Sequence, residues 1–180
     1  MNGREDDRAP LSFRAGNTRL KYLTQSTRGK DGQPVNDPCF WRQSERARSS
    51  IGTSRGSEAE STWLIDEIGV GKGCRAADIG CGPIGVLDLL SDRVGPSGAV
   101  VGVEREARFV AMARTEIAKR GLDNVSIVEG DTLSTELEKG TFDLVHERLV
   151  LINVPVSNQH AIVSSMVALA RPGAIVSTES

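Results

Sequence analysis

Three closely spaced glycines between two apolar segments leave this chain few ways to fold. Residues 76–85 read Ala-Ala-Asp-Ile-Gly-Cys-Gly-Pro-Ile-Gly, and an apolar segment follows at once. Glycines at 80, 82 and 85 let the backbone turn sharply and approach a ligand without a Cβ clash. A helix that begins at about Gly85 would point its free N–H groups at that turn. The pattern therefore predicts a strand, a nucleotide-like cofactor turn and a helix.

Segments with strand and helix patterns alternate along the rest of the chain. Strands are predicted at 74–79, 99–103, 125–128, 142–145 and 174–177, and helices at 84–93, 106–120 and 158–170. A short helical turn is predicted before Pro155. Near-continuous apolar strands, such as 99–103, are typical of parallel strands that are buried on both faces. The alternation predicts an α/β fold with a doubly wound, mainly parallel sheet of about five strands.

The first 56 residues differ in composition from the rest of the chain. They contain few apolar residues and an excess of Lys and Arg, whereas the remainder is acidic. We predict that residues 1–56 form a polar N-terminal arm, disordered or loosely packed. The alternatives are a lid over the cofactor, part of a substrate pocket, and a contact with a polyanion. Ser57 and Glu60 fit a capping box, so the folded domain is predicted over residues 57–180.

Charge and apolar content argue against several classes of partner. The net charge is −2, which calls for neither nucleic acid nor an acidic membrane. No apolar run approaches the length of a membrane span, and the N-terminus lacks the apolar core of a secretory signal. The three cysteines are odd in number and lack metal-ligand spacing, which suits reduced thiols. These features predict a cytoplasmic protein without a metal site.

Polar residues follow the predicted strand ends, at the edge where parallel sheets bind ligands. The residues in these positions are Gly80, Glu104, Asp131 and His146. The glycine pattern fits the dinucleotide fingerprint, and Glu104 stands about 20 residues beyond it, as a ribose-binding acid should. The fingerprint by itself leaves NAD open as the cofactor.

Three features move the prediction away from NAD. Asp78 stands at the end of the first strand, where a pyrophosphate would gain nothing from a carboxylate, so the cofactor is expected to carry positive groups there. Asp131 offers another acceptor, suited to the exocyclic amine of adenine, although a turn role is the alternative. The single tyrosine, Tyr22, lies in the arm, and no Tyr-x-x-x-Lys pattern of a dehydrogenase occurs.

Residues 78–85 resemble motif I of class I S-adenosylmethionine-dependent methyltransferases. Segments that resemble the family's later motifs follow in order and at suitable spacing, at 101–104, 129–131, 142–145 and 171–173. The run 146–155 is similar to that of a group of bacterial small-molecule methyltransferases. The resemblance covers about residues 57–180, and it implies a Rossmann-like fold with S-adenosylmethionine as the cofactor.

The resemblance implies roles for individual residues. The glycine turn would wrap the methionine part of the cofactor, with Asp78 near its ammonium. Glu104 would accept hydrogen bonds from both ribose hydroxyls, and Asp131 from the adenine amine, with Thr132 as a backbone contact. His146 would lie beside the cofactor and is the candidate catalytic base, with a structural role as the alternative. The implied cofactor-binding residues are Asp78, Gly80, Cys81, Gly82, Gly85, Glu104, Arg105, Asp131, Thr132 and His146.

Two departures from the family pattern bear on activity. Ala174 stands where relatives have the second glycine of Pro-Gly-Gly, and the sequence stops at Ser180. Relatives continue after strand five with helices and an antiparallel pair of strands. We therefore predict a C-terminally incomplete domain, truncated after strand five, which lacks the usual C-terminal strands and leaves an unpaired edge on strand five. The arm, or a second copy in a homodimer, would cover that edge.

The predicted function is S-adenosylmethionine-dependent methyl transfer to a small-molecule acceptor. Enzymes that methylate nucleobase amines carry an Asn-Pro-Pro-Tyr type element after strand four, and this sequence has none there. Two alternatives stay open. The chain could be a catalytically impaired cofactor-binding module that acts through a partner, or an NAD-linked oxidoreductase.

Overall fold

A computed structural model of the chain describes residues 11–15, 18–24 and 57–179, the first two ranges by their backbone. The strands are β1 (Leu11–Ala15), β2 (Thr18–Thr24), β3 (Arg75–Ile79), β4 (Ala99–Glu104), β5 (Val125–Glu129), β6 (Phe142–Arg148) and β7 (Ala170–Glu179). The helices are α1 (Ser57–Ile68), α2 (Leu87–Val94), α3 (Ala107–Arg120) and α4 (Val156–Leu169), with a 3₁₀ turn at Leu151–Asn153. None of these helices is long and apolar enough to cross a membrane.

In the described part of the chain, the strands form one sheet in the order β1-β2-β7-β6-β3-β4-β5. The five strands β7, β6, β3, β4 and β5 run parallel to one another, and β3 lies between β6 and β4. This confirms the predicted α/β fold with its parallel sheet of five strands. From β3 the chain continues outward to β4 and β5 on one side, and it then returns to β6 and β7 on the other side of β3. Ligands of such sheets bind beyond the carboxyl ends of the strands at this switch point.

The outer edge of β7, predicted to be unpaired unless the arm or a second copy covers it, is paired with a strand from the residue range of the arm. β2 lies antiparallel to β7, with Tyr22 opposite Ser177, and β1 in turn pairs antiparallel with β2. Both strands fall within the range 1–56, and the remaining residues of that range lie outside the described residues. The backbone groups on this edge of β7 are thus satisfied within the chain, so the edge gives no argument for a homodimer.

Apolar side chains pack on both faces of the parallel strands. On one face, Leu87 and Leu90 of α2 are fully buried against β3 and β4. On the other, Ile162 and Met166 of α4 pack against β6 and β7. Each such side chain stabilises the fold by about 2 kcal/mol. The two-sided burial explains why the strands read as near-continuous apolar runs.

Most predicted elements are confirmed, with three corrections at their ends. β6 runs to Arg148 rather than ending at residue 145, so His146 lies inside a strand and not beyond it. α2 begins at Leu87 because Gly85 has φ +50°, which a right-handed helix does not allow. β7 begins at Ala170, directly after α4, rather than at residue 174 as predicted. Its register with β6 is irregular between Phe142 and Leu144.

Candidate functional site

The turn after β3 is built from glycines in left-handed backbone conformations. Gly80, Gly82 and Gly85 have φ of +74°, +60° and +50°. A Cβ on Gly80 would collide with Val150, and one on Gly85 would lie 2.5 Å from the Cys81 carbonyl oxygen. A Cβ on Gly82 would have nothing within 4 Å. The first and third glycines are therefore required by packing, while the second leaves open space beside the turn.

Backbone hydrogen bonds attach this turn to the next strand. The N–H groups of Gly80 and Cys81 both donate to the carbonyl oxygen of Val103, at 2.7 and 3.1 Å. The Cys81 side chain is buried and faces Gly102, where a Cβ would lie 2.8 Å from its Sγ. Burial, reinforced by the charges of Asp78 and Glu104, raises the pKa of the Cys81 thiol far above its usual value. The thiol stays protonated, so Cys81 is a packing residue of the turn rather than a nucleophile.

Glu104, the last residue of β4, is buried and holds the same turn. Its Oε2 accepts a hydrogen bond from the Gly82 N–H at 2.9 Å, and its Oε1 accepts one from the Glu106 N–H at 2.9 Å. The carboxylate oxygens still have lone pairs for further donors. Arg105, predicted as a cofactor contact, is exposed and lies 3.6 Å from the Glu106 carboxylate. Its side chain is directed along the surface rather than into the turn.

Asp131 lies just after the end of β5, which is the strand next to β4. Its side chain is exposed, and its Oδ1 accepts a hydrogen bond from the Leu133 N–H at 2.7 Å. This contact shapes the local turn, the alternative weighed for this residue. Thr132 is half-buried beside it. Asp131 thus stands at the same edge of the sheet as Glu104, with one carboxylate oxygen used by the turn.

His146 lies in β6 directly beside Asp78 of β3, and its side chain is fully buried. Its Nδ1 is 2.9 Å from Asp78 Oδ1, and its Nε2 is 3.6 Å from Glu179 Oε2. Burial by itself would lower the pKa of His146, but its contacts with Asp78 and Glu179 outweigh this and raise the pKa to about 9. At neutral pH the ring is therefore an imidazolium between two carboxylates.

Glu179 and Ser61 also belong to the buried polar cluster around His146, and the sequence did not indicate either of them. Glu179 is buried near the end of β7, and both its carboxylate oxygens accept from the Ser61 hydroxyl of α1, each at 2.9 Å. Ser61 and Glu179 are 118 positions apart, so no local pattern could have joined them.

Glu147 was also missed as a buried residue. Its Oε2 accepts hydrogen bonds from the backbone N–H groups of Val150 and Leu151, at 2.9 and 3.3 Å. Burial raises the pKa of Glu147 above its usual range. This carboxylate fixes the loop after β6, whose Val150 side chain packs on Gly80. The one sequence signal is the polar triplet at 146–148, which resembles a strand end, whereas β6 continues to Arg148.

A cavity of about 400 Å³ opens beside the glycine turn, between α1 and α2. Ser61, Gly85 and Arg148 are among the residues that line it. A larger cavity, of about 670 Å³, lies at the other end of the sheet, against the starts of β4 and β5. Of the three turn glycines, Gly85 lines the smaller cavity, whereas Asp78, Glu104 and His146 are not among its lining residues.

A family model described as a methyltransferase domain matches residues 71–180. A demethylmenaquinone methyltransferase of Anoxybacillus flavithermus is 31% identical over 114 residues, which are 62% of this chain and 47% of that protein. A nocamycin O-methyltransferase of Saccharothrix syringae is 38% identical over 82 residues, 46% of this chain and 29% of that protein. The chain spans less than half the length of these two relatives.

A solved structure of a SAM-dependent methyltransferase from Aquifex aeolicus superimposes with a TM-score of 0.59. It is 23% identical, and the match covers 64% of this chain and 60% of that one. At this identity the likeness concerns the fold. It agrees with the parallel sheet and the flanking helices described above.

Proposed function

The chain belongs to the methyltransferase domain family, and on that premise we propose that it transfers a methyl group from S-adenosylmethionine to a small-molecule acceptor. The observation that carries the proposal is the pairing of Asp78 and Glu104 around one glycine turn. Both carboxylates are buried, and both lie at the carboxyl end of the parallel strands. A cofactor with an ammonium, a sulfonium and two ribose hydroxyls offers each of them a partner.

The residues of the turn fit such a cofactor. Gly82 leaves open space that a side chain would fill, and its N–H is already taken by Glu104. Asp78 uses Oδ1 for His146, while Oδ2 lies towards Gly85, 3.0 Å from where a Cβ would stand. We assign Asp78 to the ammonium, Glu104 to the ribose, and Asp131 with Thr132 to the adenine end. The backbone from Gly80 to Gly85 is assigned to the methionine part, with Cys81 as its packing residue.

When bound, S-adenosylmethionine supplies a methyl carbon on a sulfonium, which a nucleophile attacks in line while the C–S bond electrons pass to sulfur. The protein contributes by positioning and by excluding water. Its buried carboxylates stabilise positive charge on the bound molecule. Arg105 lies along the surface, and we leave it out of this assignment.

The buried position of His146 supports a role other than the catalytic base predicted from the sequence. A general base must reach the proton it removes, directly or through one water. His146 is fully buried, and both its ring nitrogens face carboxylates. Its raised pKa also means that it carries a proton at neutral pH. The geometry favours a positioning role over the predicted base.

A small-molecule acceptor is supported by the relatives, since two of them are named for menaquinone and nocamycin methylation. The family match disfavours the NAD-linked alternative. The cofactor-binding module without turnover remains the second candidate, because the chain spans less than half of those two relatives. We also propose a cytoplasmic location, in keeping with the buried Cys74 and Cys81, which carry thiols rather than a disulfide.

The test is calorimetric titration of the purified chain with S-adenosylhomocysteine, with NAD as the control ligand. We expect binding of the first and none of the second. Asp78→Ala and Glu104→Ala should each weaken the binding at least tenfold, whereas the exposed Asp123→Ala should leave it unchanged. Unchanged affinity in both site variants, or binding of NAD instead, would overturn the proposal. Binding without methyl transfer to any acceptor in a panel that includes demethylmenaquinone and nocamycin precursors would favour the binding module.

A further inference from the structure

A continuous chain of buried polar contacts joins four elements behind the glycine turn. It runs from Asp78 in β3 to His146 in β6, then to Glu179 in β7 and Ser61 in α1. The three links measure 2.9, 3.6 and 2.9 Å. Asp78, His146, Glu179 and Ser61 are each at most 3% exposed. Burying polar and charged side chains costs folding free energy unless they are paired. Four such side chains in contact with one another therefore suggest a role beyond stability.

We propose that His146 is a positioning residue for the amino-acid end of the cofactor, held by Glu179 and Ser61 so that it fixes the Asp78 carboxylate. This inference rests on the proposed function, because it concerns the same cofactor. It adds His146, Glu179 and Ser61 to the site as residues that act through Asp78 rather than by touching the acceptor.

The orientation of Asp78 supports the assignment. The His146 ring engages Oδ1, while Oδ2 lies towards Gly85, which is one of the residues that line the smaller cavity. A carboxylate that is held at one oxygen presents the other in a fixed direction, so less conformational entropy is lost when a cation binds. Ser61, at the far end of the buried chain, lines the same cavity as Gly85, and Asp78 Oδ2 at the other end lies towards Gly85, so both ends of the chain lie near the end of the glycine turn.

The charges around His146 point the same way. Among residues 57–179, His146 is the cation within ion-pair distance of Asp78, and it is shared with Glu179. Further charged groups near this cluster include Glu147, next in β6, and Arg148, which lies in register with Glu179. Within the described range, the carboxylates of Asp78 and Glu179 share the one His146 ring. An ammonium placed at Asp78 Oδ2 would give Asp78 a cation of its own.

The experiment compares two ligands that differ in the presence of the amino-acid end of the cofactor. S-adenosylhomocysteine carries the ammonium, whereas 5′-methylthioadenosine has the same adenosine and thioether but lacks the amino-acid half. Glu179→Gln and His146→Asn should weaken binding of the first fivefold or more and change binding of the second less than twofold. Asp143→Asn is the matched control, since Asp143 is a buried, ion-paired carboxylate at the opposite end of β6. It should not separate the two ligands.

An equal loss for both ligands, or no loss for either, in folded Glu179→Gln protein would overturn the inference. If His146→Asn does not fold, ¹⁵N spectra of histidine-labelled wild-type protein decide the matter. His146 should give an imidazolium signal at pH 7 that shifts with S-adenosylhomocysteine but not with 5′-methylthioadenosine. The signal of the exposed His160 is identified by its loss in the His160→Gln variant, which leaves the other signal to His146. An unshifted His146 signal in saturated protein refutes the inference, whereas wild-type protein that binds no S-adenosylhomocysteine refutes the proposed function itself.

Discussion

Glu104 holds Gly82 in place: the Gly82 N–H donates to Glu104 Oε2 at 2.9 Å, across the gap between β4 and the turn after β3. The other oxygen of the same carboxylate accepts from the Glu106 N–H, which precedes α3. One side chain thus supports the loops that follow two neighbouring strands. The residue assigned to ribose recognition is also a structural support of the site, and its two roles can be separated by measurement.

Glu104→Ala should lower the free energy of unfolding by about 3 kcal/mol. The substitution leaves two part-buried backbone N–H groups without their charged acceptor, and each such loss costs about 1–3 kcal/mol. Urea unfolding, followed by circular dichroism, measures the change. Asp123→Ala removes an exposed carboxylate and should stay within about 0.5 kcal/mol of the wild type. A Glu104→Ala protein as stable as the Asp123→Ala protein would mean that the carboxylate does not support the turn.

His146 should make stability fall as the pH rises above neutrality. Its pKa is about 9 in the folded protein, against a usual value of 6.5. The stabilisation is therefore complete below pH 6.5 and is lost as the pH rises through about 9. Between pH 6.5 and 8 the loss amounts to roughly 1–2 kcal/mol. Urea unfolding across this range avoids most ionisation of cysteine thiols in the unfolded chain.

The exposed histidine provides the control for this pH dependence. His160→Gln should keep the full decline between pH 6.5 and 8, because His160 lies on the surface of α4. Glu179→Gln should reduce the decline, since it removes one of the two carboxylates that raise the pKa of His146. A wild-type curve that is flat over this range would show that His146 is not held as an imidazolium.

The regular part of the fold was predictable because local signals agree with the tertiary structure. The apolar strands and the glycine stop after α3 mark their elements without help from distant residues. The end of β6 was not predictable, because His146 and Glu147 look like loop residues in sequence. They remain in the strand since Asp78 binds Nδ1 of His146, Glu179 lies near its Nε2, and two backbone N–H groups of the following loop donate to Glu147 Oε2.

The site was predictable where motif and geometry coincide, and it was not where contacts are long-range. The glycine turn is confirmed as a left-handed turn with open space at Gly82. The assigned cofactor contacts themselves stay predictions. The link from Glu179 to Ser61 gave no signal, because no spacing rule relates a helix near residue 60 to the end of the last strand.

Leu149 should tolerate glycine better than a comparable exposed leucine does. Among the described residues other than glycine, it is the one with positive φ, at +64°. That conformation costs a leucine about 1–2 kcal/mol, and Leu149→Gly removes the cost. Leu133 is similarly exposed, 42% against 43%, and lacks positive φ. We expect Leu149→Gly to be more stable than Leu133→Gly by about 1–2 kcal/mol in urea unfolding, and equal losses would contradict strain at Leu149.

Gly82→Ala and Gly121→Ala form a matched pair that separates backbone strain from ligand space. Gly82 and Gly121 have φ of +60° and +65°, and a Cβ on either would have nothing within 4 Å. Each substitution should therefore lower the free energy of unfolding by a similar amount, about 1 kcal/mol. Gly121 ends α3 away from the turn, so its variant should bind S-adenosylhomocysteine as the wild type does. Gly82→Ala should weaken that binding tenfold or more, because the added methyl group enters the space assigned to the cofactor. Equal affinities of the two variants in calorimetry would show that the space beside Gly82 is not used for binding.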